Sequence, residues 1–183
     1  TPGHDEELVR GFLHTEGLVT DQAQLLRVVP CAHVADQERG NVIRAELDPT
    51  VELDPARWQR NFYTTSSCGV CGKSSIEAVQ VQCTSSTAPV AVLDSTIITT
   101  LPDRMREAQT TFRYTGGIHA AALFDAQGRM LLLREDVGRH NAVDKVIGAM
   151  LSARIPVYGT ILLVSGRAGF ELVQKCAVAG IPT

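Results

Sequence analysis

The residues best equipped for chemistry in this chain are two thiols separated by two residues, in Ser66-Ser67-Cys68-Gly69-Val70-Cys71-Gly72-Lys73. Cysteines at this spacing can grip a soft metal, cycle between dithiol and disulfide, or carry a sulfur atom. The pair alone does not choose among the three. A helix predicted over residues 75–81, capped by Ser74 or Ser75, sets Cys71 near a helix N-terminus, where unpaired amides favour a thiolate. Lys73 could favour the thiolate as well, or simply extend into solvent.

A second group of reactive residue types falls in two turns. Arg134-Glu135-Asp136-Val137-Gly138-Arg139-His140-Asn141 follows one predicted strand, and Ser165-Gly166-Arg167-Ala168-Gly169 follows the next. If those strands pair in parallel, both turns lie on the carboxyl edge of the sheet, where open α/β sheets bind ligands. Each turn leads into a helix and so offers free amides to an anion. Arg139 and Arg167 add planar forks suited to phosphate oxygens. Together the turns point to a small anionic ligand, a nucleotide above all; capped helix starts with solvated arginines are the plainer alternative. Asp136 or Asp144 could accept from a base or ribose, and Asp144 could instead pair with Arg139 or Lys145 on its helix face.

Thr115-Gly116-Gly117-Ile118-His119 precedes the first of these strand pairs. Gly116 and Gly117 permit close backbone approach. His119 and His140 could each act as a metal ligand, a general base, a donor to a ligand or a hydrogen-bonded structural residue. His4, His14 and His33 have no such neighbours and read as incidental.

The elements that must position these residues are legible from periodicity. Residues 5–16 repeat Leu8, Val9, Phe12 and Leu13 at helical spacing and stop at Gly17. Residues 21–29 fit either a short helix or a strand, and residues 41–47 alternate as an outer strand. A turn-rich link over residues 48–55 leads to a short helix carrying Trp58, and residues 83–91 read as a loop. Residues 95–100 and 102–112 suggest two consecutive helices, with Pro102 in the first turn of the second. Residues 120–124 and 130–133 form a hairpin-like pair around Asp125-Ala126-Gln127-Gly128. A helix over 141–151, a buried strand over 159–164 and a helix over 170–178 complete a strand–helix–strand–helix run, which implies parallel pairing through a right-handed crossover. The fold class is α/β.

Composition narrows the function. At 183 residues with 44% hydrophobic content the chain can bury one sizeable core. A net charge of -3 and only 5% aromatic residues disfavour a nucleic-acid binder held by phosphate attraction or base stacking. No apolar run approaches the roughly 20 residues that span a bilayer, and no secretory signal opens the chain. Five cysteines, an odd number, fit a reducing cytoplasm better than a disulfide framework. Cys176, Cys31 and Cys83 read as small buried hydrophobes.

The thiol stretch, Thr115-Gly116-Gly117-Ile118-His119-Ala120-Ala121, the run from Arg134 to Lys145, and Ser165-Gly166-Arg167 followed by Glu171 and Lys175 strongly resemble the FdhD family, the formate dehydrogenase accessory sulfurtransferases. The resemblance covers essentially the whole chain. It implies a protein that receives persulfide sulfur from a cysteine desulfurase and passes it to the molybdenum cofactor in its bis-guanine dinucleotide form, for which GDP is an analogue. Formate dehydrogenase is then the recipient of the cofactor. A three-layer fold similar to cytidine deaminases follows, with mixed strands and helices on both faces, in a cytoplasmic homodimer with no nucleic-acid or membrane partner. One domain over residues 1–183 is expected, with a helix/strand portion at 1–60 and the sulfur-carrier loop and cofactor-binding core at 61–183. Cys68 matches the persulfide carrier and Cys71 its neighbour. Gly117, His119, Arg134, Asp136, Gly138, Arg139, His140, Asn141, Asp144, Lys145, Ser165, Gly166, Arg167 and Glu171 match its cofactor-binding positions. The chain departs from the family at Gly169, where a small hydroxyl residue is expected, and it looks shortened at both ends.

Three rival functions fit parts of the same sequence. Zinc-dependent deamination would need a glutamate two residues after His119 to move protons; that position is Ala121. A dithiol redox protein leaves both arginine turns unexplained. A chaperone that holds the cofactor without transferring sulfur differs in one respect: it would keep working after Cys68→Ala.

Overall fold

A computed structural model describes residues 1–52 and 93–182. Helix α1 (Asp5–Thr15) opens with Asp5, Glu6 and Glu7 and carries His14 in its last turn, the charge order that suits the helix dipole. Gly17, at φ 73°, ends it in the left-handed conformation that glycine adopts without penalty. The ambiguous stretch after it resolves into a single 3₁₀ turn at Gln22–Gln24, capped by Asp21, and then strand β1 (Leu25–Pro30). Strand β2 (Ile43–Leu47) pairs with β1 antiparallel. The small ribbon closes over Val19, Leu25 and Val28, with Val9 and Leu13 of α1 against them.

Helix α2 (Ser95–Ala108) and the short α3 (Thr110–Thr115) follow. Here the sequence expectation of a break before Pro102 fails: α2 runs through the proline. A proline inside a helix costs about 3 kcal/mol through its lost N–H and ring clash. Leu101 and Met105, four apart and buried to 1% and 5% exposure, offset this by packing on the sheet, at about 1.5–3 kcal/mol for each side chain. The break comes later, at Gln109, whose ψ of 105° is extended.

The main sheet has the order β4-β3-β5, from β3 (His119–Phe124), β4 (Met130–Asp136) and β5 (Ile161–Val164). Both pairings are antiparallel, so β4 and β5 are not the parallel neighbours that the strand–helix–strand pattern implied. Strand β3 lies between them. The consequence for the site survives the correction. Two strands each antiparallel to β3 run the same way, so their carboxyl ends, and the amino end of β3, share one edge.

Alternation along β3 sends Ala121 and Leu123 to one core and Ala120, Ala122 and Phe124 to the other. The first core is filled by α4 (Arg139–Ser152) and α5 (Phe170–Val178), the second by α2. Helices thus cover both faces of a mixed α/β molecule. Helix α4 is buried along most of its length, because α1 crosses its outer side. That crossing is backbone on backbone: a Cβ at Gly11 would lie 1.9 Å from the Asp144 carbonyl oxygen, and one at Gly148 would lie 1.8 Å from that of Glu7. No helix among the described residues is long and apolar enough to cross a membrane.

Candidate functional site: the shared edge of the sheet

The first turn is built around Asp136, the last residue of β4. Its Oδ1 accepts from the Gly138 amide (2.9 Å) and Asn141 Nδ2 (3.2 Å), while Oδ2 accepts from Lys145 Nζ (2.7 Å). Burial opposes ionisation of this carboxyl, but the Lys145 ammonium and the Gly138 amide hold it below the usual carboxylate range. Lys145 Nζ, itself buried, also donates to the Thr1 carbonyl at 2.9 Å. These bonds fix the start of α4 and hence the direction of Arg139 and His140.

The second turn is tied to β3. Ser165 Oγ accepts from the Ala120 amide and the Ser165 amide donates to the Ala120 carbonyl, both at 2.9 Å. The two turns then meet. A Cβ at Gly166 would lie 3.3 Å from Arg139 Cδ and 3.3 Å from His119 Nδ1. Glycine at 166 therefore brings backbone within reach of an arginine from the other turn and a histidine from the neighbouring strand. A bulkier residue would fill this cradle. Across the helix starts, His140 Nε2 lies 3.4 Å from Glu171 Oε2, so the first turns of α4 and α5 are linked as well. Glu135 anchors the remaining wall: its carboxylate accepts from the amides of Thr111 and Phe112, both at 2.8 Å. Burial of Glu135 is outweighed by these bonds, and its carboxyl sits below the usual range. The bonds bind α3, and the Gly116-Gly117 turn after it, to β4.

The expected residues thus fall into two groups. Gly138, Arg139, His140, Gly166 and His119 gather at the shared edge with Ser165, Arg167 and Gly117 in the adjoining turns, while Asp136 and Asn141 support it from beneath. Arg134, Asp144 and Lys145 are taken up elsewhere. Arg134 grips Glu7 of α1 through Nη2 (2.7 Å) and Nε (2.5 Å), a bidentate fork. Although burial pushes Glu7 the other way, this fork holds its carboxyl low. Asp144 pairs with neither Arg139 nor Lys145. Its carboxylate faces Lys175 Nζ at 3.0 and 3.1 Å and accepts from Thr15 Oγ1 at 2.9 Å. Lys175 also donates to Glu16 Oε1 (3.1 Å) and Thr15 Oγ1 (2.9 Å), and its ammonium lies 5.6 Å from the centre of the Phe12 ring. Burial disfavours its charge, yet Asp144 and Glu16 hold the ammonium above the usual lysine range.

Nothing local in the α1 sequence marks Glu7, Thr15 and Glu16 as partners to these charges. Lys175 left one trace: it falls on the buried face of α5 with Leu172, an odd place for an unpaired charge. A cavity of about 590 Å³ also opens beside the edge, lined by Arg106, Phe112, Gly117, His119 and Ser165. Cys176 is partly buried against the core as expected, and burial pushes its thiol up to about 11. His14 is less incidental than its sequence suggests, since its ring lies 3.2 Å from the Val19 carbonyl. Cys68, Cys71 and Cys83, the helix at 75–81 and the helix around Trp58 lie outside the described residues. Among the described residues no three His, Cys, Asp or Glu side chains are grouped to hold a metal.

The sequence is similar to proteins of known family. The pattern of the FdhD/NarQ family matches residues 1–183. A protein of Mycolicibacterium paratuberculosis named sulfur carrier protein FdhD is 50% identical over 186 residues, covering 100% of this chain and 68% of that protein. One of the same name from Streptomyces avermitilis is 48% identical over 187 residues, covering 100% of this chain and 66% of its own length. The chain therefore spans about two thirds of these relatives. Among solved structures, that of a Desulfotalea psychrophila protein described as a formate dehydrogenase accessory protein superposes with a TM-score of 0.68 at 27% identity, over 99% of this chain and 64% of that one. With the family pattern matched from end to end and relatives at half identity, the chain belongs to the FdhD/NarQ family.

Proposed function

We propose that this chain is a sulfur carrier that serves formate dehydrogenase, acting as a sulfurtransferase toward the molybdenum cofactor in its bis-guanine dinucleotide form. The observation that carries the reading is the meeting of Gly166, Arg139 and His119 at one sheet edge beside two helix starts. Such an edge suits a phosphate-bearing cargo, and the Cys68–Cys71 pair supplies a sulfur carrier. The relatives named sulfur carrier protein support the same assignment.

In this account the Cys68 thiolate attacks the terminal sulfur of a persulfide on a cysteine desulfurase. A new S–S bond forms, the donor's own S–S bond breaks, and the donor cysteine leaves as a thiolate. The terminal sulfur, now on Cys68, is delivered to cargo seated on the Gly138 and Gly166 turns. Cys71 can assist by attacking Cys68, which closes a disulfide and expels the terminal sulfur as hydrosulfide. The roles of Arg139, Arg167 and His119 are to bind and orient the phosphates. The cytoplasm, a homodimer, a single domain divided near residue 60, and a cytidine-deaminase-like three-layer architecture belong to the same proposal.

Mass spectrometry tests it. After incubation with a cysteine desulfurase and free cysteine, the peptide bearing Cys68 and Cys71 gains the mass of one sulfur atom, and Cys68→Ala abolishes the gain. A protein with both thiols reduced at the start that gains no sulfur is not a carrier. Support of formate dehydrogenase by Cys68→Ala would favour a cargo-holding chaperone instead.

A further inference from the structure

The turn that carries Arg139 and His140 is tied to its own strand through Asp136, but one of its amides is held from outside. The Val137 amide donates to Thr1 Oγ1 at 2.8 Å, and the Thr1 carbonyl accepts from Lys145 Nζ at 2.9 Å. Thr1 thus touches both the link between β4 and α4 and the second turn of α4. The chain reaches this place by a sharp bend. Gly3 (φ 94°) and His4 (φ 59°) are both left-handed, a conformation unfavourable for a residue that has a Cβ. Such strain persists where contacts on both sides over-determine it. On one side stands α1: the Leu8 amide donates to the His4 carbonyl at 2.9 Å, and Glu7 meets His4 Nδ1 at 3.2 Å while Arg134 of β4 grips it. On the other side stands Thr1.

We propose that Thr1 is a positioning residue of the anion edge, its hydroxyl holding the Val137 amide and so setting the direction in which α4 leaves β4. The inference rests on the nucleotide reading given under Proposed function. Asp136 Oδ1 accepts from the next amide, that of Gly138, at 2.9 Å, so two successive amides of the link are aimed by side chains. Gly138 is the N-cap of α4, and Arg139 and His140 follow it directly. A rotation of the Asp136–Val137 peptide therefore swings the first turn of α4 against Gly166, where a Cβ would already lie 3.3 Å from Arg139 Cδ. The hydroxyl bond contributes little to folding, because it lies at an exposed position and the amide can turn to water when its acceptor is lost. Its effect is on direction. The Thr1 carbonyl is backbone, so its bond to Lys145 survives substitution and the segment stays docked.

Calorimetry with GDP on the wild type, Thr1→Val and Thr1→Ser, together with thermal melts and the amide resonances of Val137 and Gly138, tests it. Thr1→Val keeps the shape and removes the hydroxyl. It is expected to lower GDP affinity roughly three- to tenfold, the worth of one net hydrogen bond, while the melting temperature stays within about 2 °C of the wild type. The Val137 amide resonance moves in the free Thr1→Val protein. Thr1→Ser restores both the affinity and the resonance, which a loss of packing alone would not allow. If the wild type binds GDP and Thr1→Val binds it equally well, the inference is overturned with the nucleotide reading intact. If Thr1→Ser is as weak as Thr1→Val, the hydroxyl is not the agent and the inference is likewise overturned. If the wild type does not bind GDP, the nucleotide reading itself fails and the inference falls with it.

Discussion

Replacing Lys175 with methionine tests the buried charge cluster that locks α1, α4 and α5 together beneath the site. The Lys175 side chain is 2% exposed and holds Asp144 and Glu16, whose side chains are 2% and 6% exposed. Methionine keeps the volume and removes the charge, so two carboxylates are left facing each other away from water. Removing one partner of a buried pair costs about 3–5 kcal/mol, mostly the desolvation of what remains. In a domain of 150–250 residues this lowers Tm by roughly 6–20 °C, at about 2–4 °C for each kcal/mol. The pH dependence gives the mechanism away. Burial already pushes Asp144 up, against the pull of Lys175. Without the ammonium that pull is gone, so the folded variant takes up a proton that the unfolded chain does not. Stability gained by proton uptake on folding grows as pH falls, so the gap between wild type and variant narrows from pH 7 toward pH 4. Urea unfolding followed by circular dichroism at several pH values reads both effects. A loss below about 1 kcal/mol at pH 7, or a gap that is flat with pH, would show that the cluster is solvated and refute the reasoning.

Three further outcomes follow from the same contacts. Gly148→Ala places a Cβ 1.8 Å from the Glu7 carbonyl oxygen, forcing α1 off α4; the expected loss in denaturant unfolding is about 3 kcal/mol, the upper range for overpacking, or more. Asp136, Glu7 and Glu135 are all held below the ordinary carboxylate range. Their stabilisation is complete above the unfolded carboxylate pKa and is lost as pH falls through their lower folded values, so acid titration should show unfolding that begins below about pH 4. Arg134→Lys breaks the bidentate grip on Glu7 while keeping the charge, and it should lower stability by about 1 kcal/mol in thermal melts with GDP affinity unchanged.

Local pattern carried much of this molecule and failed where remote partners decide. Residues 170–178 read correctly as a helix because their apolar spacing and the preceding glycine are local signals. The run from Ala120 to Phe124 read as a strand because its neighbours turn at Asp125 and Gly128. Pro102 misled because a proline usually opens a helix; the packing of Leu101 and Met105 on the sheet lies outside any local window. The β4–β5 adjacency was misjudged because a strand–helix–strand pattern does not say which strand is inserted between. At the site, both turns were legible from glycine, arginine and histidine at strand ends. The withdrawal of Asp144 into a cluster with Thr15 and Lys175 was not, since Thr15 lies 129 residues from Asp144 in the chain. The cavity stayed hidden for the same reason, because Phe112 and Arg106 look like ordinary helix residues until α2 and α3 pack against β3 and β5.

The central claim is that the two turns act on one anion. Arg139→Ala, Arg167→Ala and the double variant, each titrated with GDP by calorimetry, test it most directly. Residues that grip the same phosphate couple by about 0.5 kcal/mol or more. The account predicts weaker binding in each single variant and a double loss that departs from the sum of the two. Unchanged affinity in either single variant, or losses that add without coupling, would contradict it.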